Sequence, residues 1–282
     1  MTGPSDPPLY EKFFRNLQEQ GVVDTVGKTY NFLMNRVGVF YQGVVRDKLP
    51  VTDHSEYNGV TVPPEIAPKR RLGERSVFSR WSPNKPVYKG YLQYLRTYVS
   101  AGDDVTIIGG GRGVSSVVAA RQTGPEGRVS IFEGSPEMFD LIEGVIKMNG
   151  VRERCTLRQA VVGPAVDVYT EDDEISSVSP AELDDCDILL LDCEGAKYTI
   201  LPQLDVRPQH LVVEFHPDKV SNPAEAVLSE LGDYKLIETG TYYGEPVSEQ
   251  RFRDLLERRK EGKPDVDGSY VKNPVGVLEL DE

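Results

Sequence analysis

The chain has 282 residues, enough for one large domain with an appendage, and a formal net charge of −13. A surface that acidic repels phosphates, so nucleic acid is not an expected partner. No apolar run approaches the ~20 residues of a bilayer-spanning helix, and the first residues lack the basic-then-apolar layout of a secretion signal. Cys155, Cys186 and Cys193 are odd in number and without metal-ligand spacing, and read as reduced thiols of a cytoplasmic protein. Excess carboxylates on this scale also suit a salt-rich cytoplasm, an acidic proteome in which they keep the chain hydrated.

Residues 1–86 read as a helical and loop appendage. Two amphipathic helices are expected between positions 10 and 45, broken near Gly21. Tyr10, Phe13, Phe14 and Leu17 share one face of the first, and Val26, Tyr30, Leu33 and Val37 share one face of the second. The bland reading is that such a face packs on the main domain; a helix that meets a membrane surface, as a peripheral contact, or a second copy is the sharper alternative. Residues 46–86 are broken by prolines, with a short strand at 59–62. They carry a basic cluster, Lys69, Arg70, Arg71, Arg75 and Arg80, with Phe78 and Trp81 between. This is either a solvated loop or a lid bringing arginines to an anionic substrate.

Residues 87–282 form the main domain. A helix at 87–99 delivers the chain to a strand at 105–108, and strands at 128–132, 156–160, 188–191 and 211–215 alternate with helices, clearest at 136–149. This is the pattern of an α/β fold: a doubly wound, mostly parallel, Rossmann-like sheet. Residues 234–238 and 276–280 read as two strands flanking a helix at 248–259, which adds an antiparallel C-terminal strand. Ligands of such sheets lie beyond the carboxyl ends of the strands.

The first parallel strand runs into Gly109-Gly-Gly111-Arg-Gly113, and a helix starts at Val114. Glycines here let a ligand approach the backbone, and the helix N-terminus adds a partial positive charge. Glu133 ends the second strand, twenty residues past Gly113, where an acidic residue accepts hydrogen bonds from ribose hydroxyls. An adenosine-type cofactor is expected. The dinucleotide fingerprint requires glycine at position 114, which is Val114. The spacing G-x-G-x-G is instead that of Rossmann-like methyltransferases using S-adenosylmethionine (SAM).

The fourth strand ends in Asp192-Cys-Glu194-Gly-Ala196, and the fifth in Glu214-Phe-His216-Pro217. Asp192, Glu194, Glu214 and His216 should therefore converge on the cofactor pocket; buried charges are costly without a task or a partner. Capping of the following helix is the bland alternative for Glu194.

These two stretches resemble the FkbM family of SAM-dependent methyltransferases, whose pattern is roughly D-x-x-K-x-D-x-E-G-A-E followed by E-x-H. The glycine loop, Glu133 and Asn149 stand in matching order, so the resemblance covers residues 105–217. Three positions depart from it: Ile107 replaces an aspartate that helps organise the cofactor's methionine end, Leu190 replaces a lysine, and Lys197 replaces an acidic residue. The resemblance implies a class I methyltransferase that O-methylates a hydroxyl of a sugar, a glycan or a related small molecule. Gly109, Gly111, Gly113 and Glu133 would hold SAM, with Asp192 in either group. His216 is the expected base, with Glu214 orienting it and Glu194 or Asp192 in its stead. No metal is required, although in a variant the same four residues offer ligands to Mg²⁺. Two alternatives remain: a decayed methyltransferase that only binds a nucleoside or partner, and an NAD-dependent oxidoreductase, which the glycine register disfavours.

Overall fold

In the computed structural model, residues 22–50, 54–63, 90–163, 175–217, 231–243, 245–266 and 270–281 are described, with Tyr10 and Leu17. The basic cluster at 69–80 and most of the first expected helix lie outside these residues. The chain divides into two compact units, Met1–Ser55 with Ala67–Lys85, and Glu56–Ile66 with Pro86–Glu282.

In the smaller unit, α1 (Val22–Phe40) runs into one π-helical turn over Tyr41–Val45. Val26, Tyr30, Leu33 and Val37, the apolar face expected from the spacing, are all exposed. No helix among the described residues is long and apolar enough to cross a membrane.

The larger unit opens with β1 (Ser55–Tyr57) and β2 (Val60–Val62). They are joined by Asn58-Gly59, both at positive φ, the turn chemistry of a tight hairpin. The main elements follow: α2 (Gly90–Tyr98), β3 (Asp104–Ile108), α3 (Val114–Thr123), β4 (Arg128–Glu133), α4 (Pro136–Met148) and β5 (Cys155–Gln159). After a short parallel pair, β6 (Val161–Val162) and β7 (Ser177–Val178), come β8 (Ile188–Leu191), a helical turn α5 (Lys197–Ile200) and β9 (His210–Glu214). The domain closes with β10 (Tyr234–Gly240), α6 (Glu249–Lys260) and β11 (Val275–Leu280).

The central sheet is seven-stranded, in the order β10-β11-β9-β8-β3-β4-β5. Only β11 runs against the rest, pairing antiparallel with β9 on one side and β10 on the other. Strands buried on both faces need unbroken apolar sequence. Accordingly every residue of β8 is buried, as are Val105, Ile107 and Ile108 of β3. The α2, α3 and α4 helices pack side by side, with α3 on β3 and β4. Leu189, Leu191, Leu211 and Val213 belong instead to a cluster with Ile200, Phe252 and Leu256, where Phe215 and Phe252 meet edge to face at 5.2 Å. Ile107 and Leu190, two departures from the FkbM pattern, are 0% exposed and serve as sheet core.

Asn149 acts as a tie at the C-cap of α4. Its Nδ2 donates to the Thr61 carbonyl at 2.7 Å, and its Oδ1 accepts the Thr61 N–H at 3.1 Å and an Arg121 N–H at 2.8 Å. That fastens the β1–β2 hairpin to the two helices beside the sheet.

Candidate active site

From β3 the chain proceeds outward to β4 and β5, then returns to β8 on the other flank of β3. This reversal opens a crevice at the strand ends. The glycine loop enters it from β3, and residues 192–196 enter it from β8.

The two strand ends are tied together by backbone. The Asp192 N–H donates to the Ile108 carbonyl at 3.0 Å, and the Gly109 N–H donates to the Phe132 carbonyl at 3.0 Å. Gly109 has φ +90°, and a Cβ there would overlap the Asp192 carbonyl oxygen. Gly111 has φ +54°, with open space where its Cβ would stand. Gly113 is the N-cap of α3, packed against Ile142 and Val145 of α4.

Glu133 is fixed by its neighbours. One carboxylate oxygen accepts the Gly111 N–H at 3.0 Å, and the other accepts the Ser135 N–H at 2.9 Å. Ser135 is itself the N-cap of α4, accepting from the Met138 N–H, with Pro136 next. Burial pushes the Glu133 carboxyl above its ordinary value. The backbone donors pull it back down, and the nearby Asp192 charge adds a small upward push.

A cavity of about 630 Å³ lies between these parts. Its walls include the glycine loop, Arg112, Glu133, Asp192, Cys193 and Glu194, with Tyr57, Tyr91, Tyr242 and Lys272 among the remaining lining. The Lys272 ammonium sits 4.7 Å from the Tyr242 ring centre, within cation–π range. Cys193 lines the cavity as a thiol, pushed up to about 11 by burial. That leaves it a weak nucleophile near neutrality.

The four residues expected to converge do so, in two layers. Asp192 and Glu194 line the cavity; Glu214 and His216 stand behind them, 3% and 4% exposed. His216 Nε2 is 3.2 Å from the Glu194 carboxylate and 3.8 Å from that of Glu214. Asn273 donates to the Glu214 carboxylate at 3.2 Å. On the far side of the ring, His216 Nδ1 is 2.8 Å from Lys197 Nζ, and Lys197 also donates to the Glu194 backbone carbonyl. Lys197 is 0% exposed. Burial pulls its ammonium below the ordinary value, while Cys193, Asp192, Glu214 and Glu194 push it back up.

Glu194 is one of two non-glycine residues at positive φ among those described, at +48°. A left-handed backbone at such a residue costs about 1–3 kcal/mol and persists where its surroundings over-determine it. The N-cap of the turn that Glu194 begins is Cys193, whose side chain makes no capping hydrogen bond.

Asp192, Glu214 and His216 each bring a ligand atom within 4.8 Å of the others, close enough to surround a cation. Lys197 already brings a cationic group to this cluster. Reading the sequence named Lys197 only as a departure from the family pattern, and missed its place at the site, Asn273 and the backbone strain at Glu194. The one available signal was the i, i+3 spacing of Glu194 and Lys197 across a turn.

No protein-family model matches the chain, and no curated protein matches it. Solved structures do. An S-adenosylmethionine-dependent O-methyltransferase from Thermotoga maritima is 17% identical with a TM-score of 0.40, covering 68% of this chain and 65% of its own. The O-methyltransferase TomG from Streptomyces achromogenes, in complex with SAM, is 14% identical with a TM-score of 0.39, covering 68% and 79%. An O-methyltransferase from Bacillus cereus, in complex with SAH, is 11% identical with a TM-score of 0.39, covering 67% and 79%. Nothing among these points to FkbM in particular, and that resemblance rests on its motifs alone. At this distance, the chemistry is decided by the chain's own residues.

Proposed function

We propose that the protein is a SAM-dependent methyltransferase acting on a hydroxyl of a small-molecule or glycan acceptor. The observation that carries this is one cavity bounded by a ribose-type acceptor, Glu133 beside Gly111, and by two carboxylates, Asp192 and Glu194. The donor set suits SAM. Glu133 retains acceptor capacity for a hydroxyl pair, Gly111 leaves the backbone open to close approach, and Asp192 offers negative charge to a cationic methionine portion. The antiparallel β11 between β9 and β10 supports the same reading, since dinucleotide folds continue in parallel order. Val114 at the third fingerprint position points away from NAD as well.

When bound beside Glu133, Gly111 and Asp192, SAM would supply an electrophilic methyl on a sulfonium, with a neutral thioether as the leaving group that takes the C–S electron pair. Glu194, exposed to the cavity, takes the acceptor's proton as the acceptor oxygen forms its new bond to carbon, and later yields that proton to water. His216 has its ring behind Glu194 rather than in the cavity, which favours an orienting role for it: Nε2–H donates to the Glu194 carboxylate. The walls of the crevice hold the two reactants in line and exclude bulk water.

Incubation with methyl-labelled SAM and a panel of hydroxyl acceptors, including a cell-envelope glycan extract, tests the reading. Label should enter an acceptor, and Glu194→Gln should lower transfer by roughly 10²-fold or more, the usual worth of a general base, with SAM binding kept. Tight SAM binding with no transfer across the panel would favour the decayed, binding-only reading.

A further inference from the structure

We propose that Lys197 is a positioning residue: its buried ammonium clamps the Glu194 backbone and the His216 ring together, so that the Glu194 carboxylate is held at the cavity. The proposal rests on the assignment of Glu194 as proton acceptor, and it adds a residue that this assignment does not use.

Lys197 is fully buried, in a place where a long cationic side chain is expensive without a task. Its Nζ has two recorded acceptors, the Glu194 carbonyl and His216 Nδ1. The first belongs to a residue with a left-handed backbone, which nothing in glutamate's own preferences favours. A hydrogen bond to that carbonyl is what a strained turn needs to hold its shape. The second sets the histidine. Two nitrogens 2.8 Å apart share one proton, and two carboxylates face the opposite edge of the ring. With Lys197 donating, Nδ1 is an acceptor and the ring's proton lies on Nε2, pointed at Glu194. Glu194 is therefore gripped at both ends, its carbonyl by Lys197 directly and its carboxylate by Lys197 acting through His216.

Removing the ammonium leaves Nδ1 with the Glu214 backbone carbonyl, 3.3 Å away. That partner can only accept, so it calls for a proton on Nδ1. The two carboxylates keep the proton on Nε2, so the proton on Nδ1 is a second one. The ring becomes the cation that replaces the lost ammonium, a change that packing alone would not produce.

The test is ¹⁵N NMR of the histidine-labelled 282-residue chain at neutral pH. The chain has three histidines, and loss of a signal in His216→Gln assigns the ring. In the wild type, Nδ1 of His216 should be unprotonated and Nε2 protonated; in Lys197→Met, Nδ1 should become protonated. A wild-type ring protonated on Nδ1, or a pattern unchanged in Lys197→Met, overturns the proposal. If Lys197→Met does not fold, Lys197→Leu is measured in its place, with the same expected and overturning results. Calorimetry with S-adenosylhomocysteine on the same samples separates the two readings. A wild type that takes up none of it removes the methyltransferase reading and leaves the ring measurement standing. Uptake with the wrong ring pattern removes only the clamp.

Discussion

Substituting alanine at Gly111 and at Gly109 should separate ligand contact from strand packing within a single loop. Both residues have positive φ, so alanine at either costs about 1–2 kcal/mol of left-handed backbone strain. At Gly111 the new methyl finds open space, so strain is the whole stability cost. For a unit of this size that lowers the melting temperature by a few degrees. The same methyl stands at the cavity wall, where a nucleoside cofactor would approach the backbone. Overpacking there is worth about 1–3 kcal/mol, or roughly 5- to 150-fold in Kd. At Gly109 the methyl collides with the Asp192 carbonyl oxygen, and the ends of β3 and β8 must part. The combined cost of roughly 2–5 kcal/mol should lower the melting temperature by roughly 4–20 °C. Thermal melts by circular dichroism and titration with S-adenosylhomocysteine read the two effects. Gly111→Ala binding that ligand like the wild type would refute the cofactor reading of the loop, and Gly109→Ala melting like the wild type would refute the contact with Asp192.

Asn149→Ala should cost about 2–3 kcal/mol, because it leaves partly buried backbone groups of Thr61 without their side-chain partner. A melt should show this with S-adenosylhomocysteine affinity unchanged, since Asn149 is a tie rather than a ligand contact; lost affinity at unchanged stability would reverse that assignment. Glu133 is raised chiefly by burial, so its protonation on acidification begins above the ~4.3 of a free glutamate. Ligand affinity should therefore fall as pH drops through that raised value and be complete above it, with Glu133→Gln flat over the same range. The sign for folding follows the same shift. Burial makes ionisation dearer in the folded chain, so this carboxyl subtracts stability above its unfolded value and returns it as pH falls through the folded one.

Much of the architecture was readable because buried parallel strands require uninterrupted apolar residues. The Ile188–Leu191 run matches its strand, and Ser248 and Pro136 sit where helix starts need them. The hairpin strand Ser55–Tyr57 was not readable, because a three-residue strand with a central exposed glutamate carries no period. Nor was the insertion of β11 between β9 and β10, since strand neighbours are chosen by long-range pairing that local pattern does not record. At the site, the strand-end rule brought Asp192, Glu194, Glu214 and His216 to one region. It did not rank their depth, so the histidine expected at the front is behind the glutamate. Lys197 reads only as a departure from an acidic position of the FkbM pattern, and the packed fold turns it into a buried cation under a strained turn.

The central claim is that the crevice takes up a sulfonium nucleoside, and isothermal titration calorimetry of the wild-type protein with SAM, S-adenosylhomocysteine and NAD tests it most directly. The account predicts one-to-one heats of binding for the first two, weakened in Gly111→Ala, and none for NAD. Heat with NAD and none with either sulfur compound would contradict it.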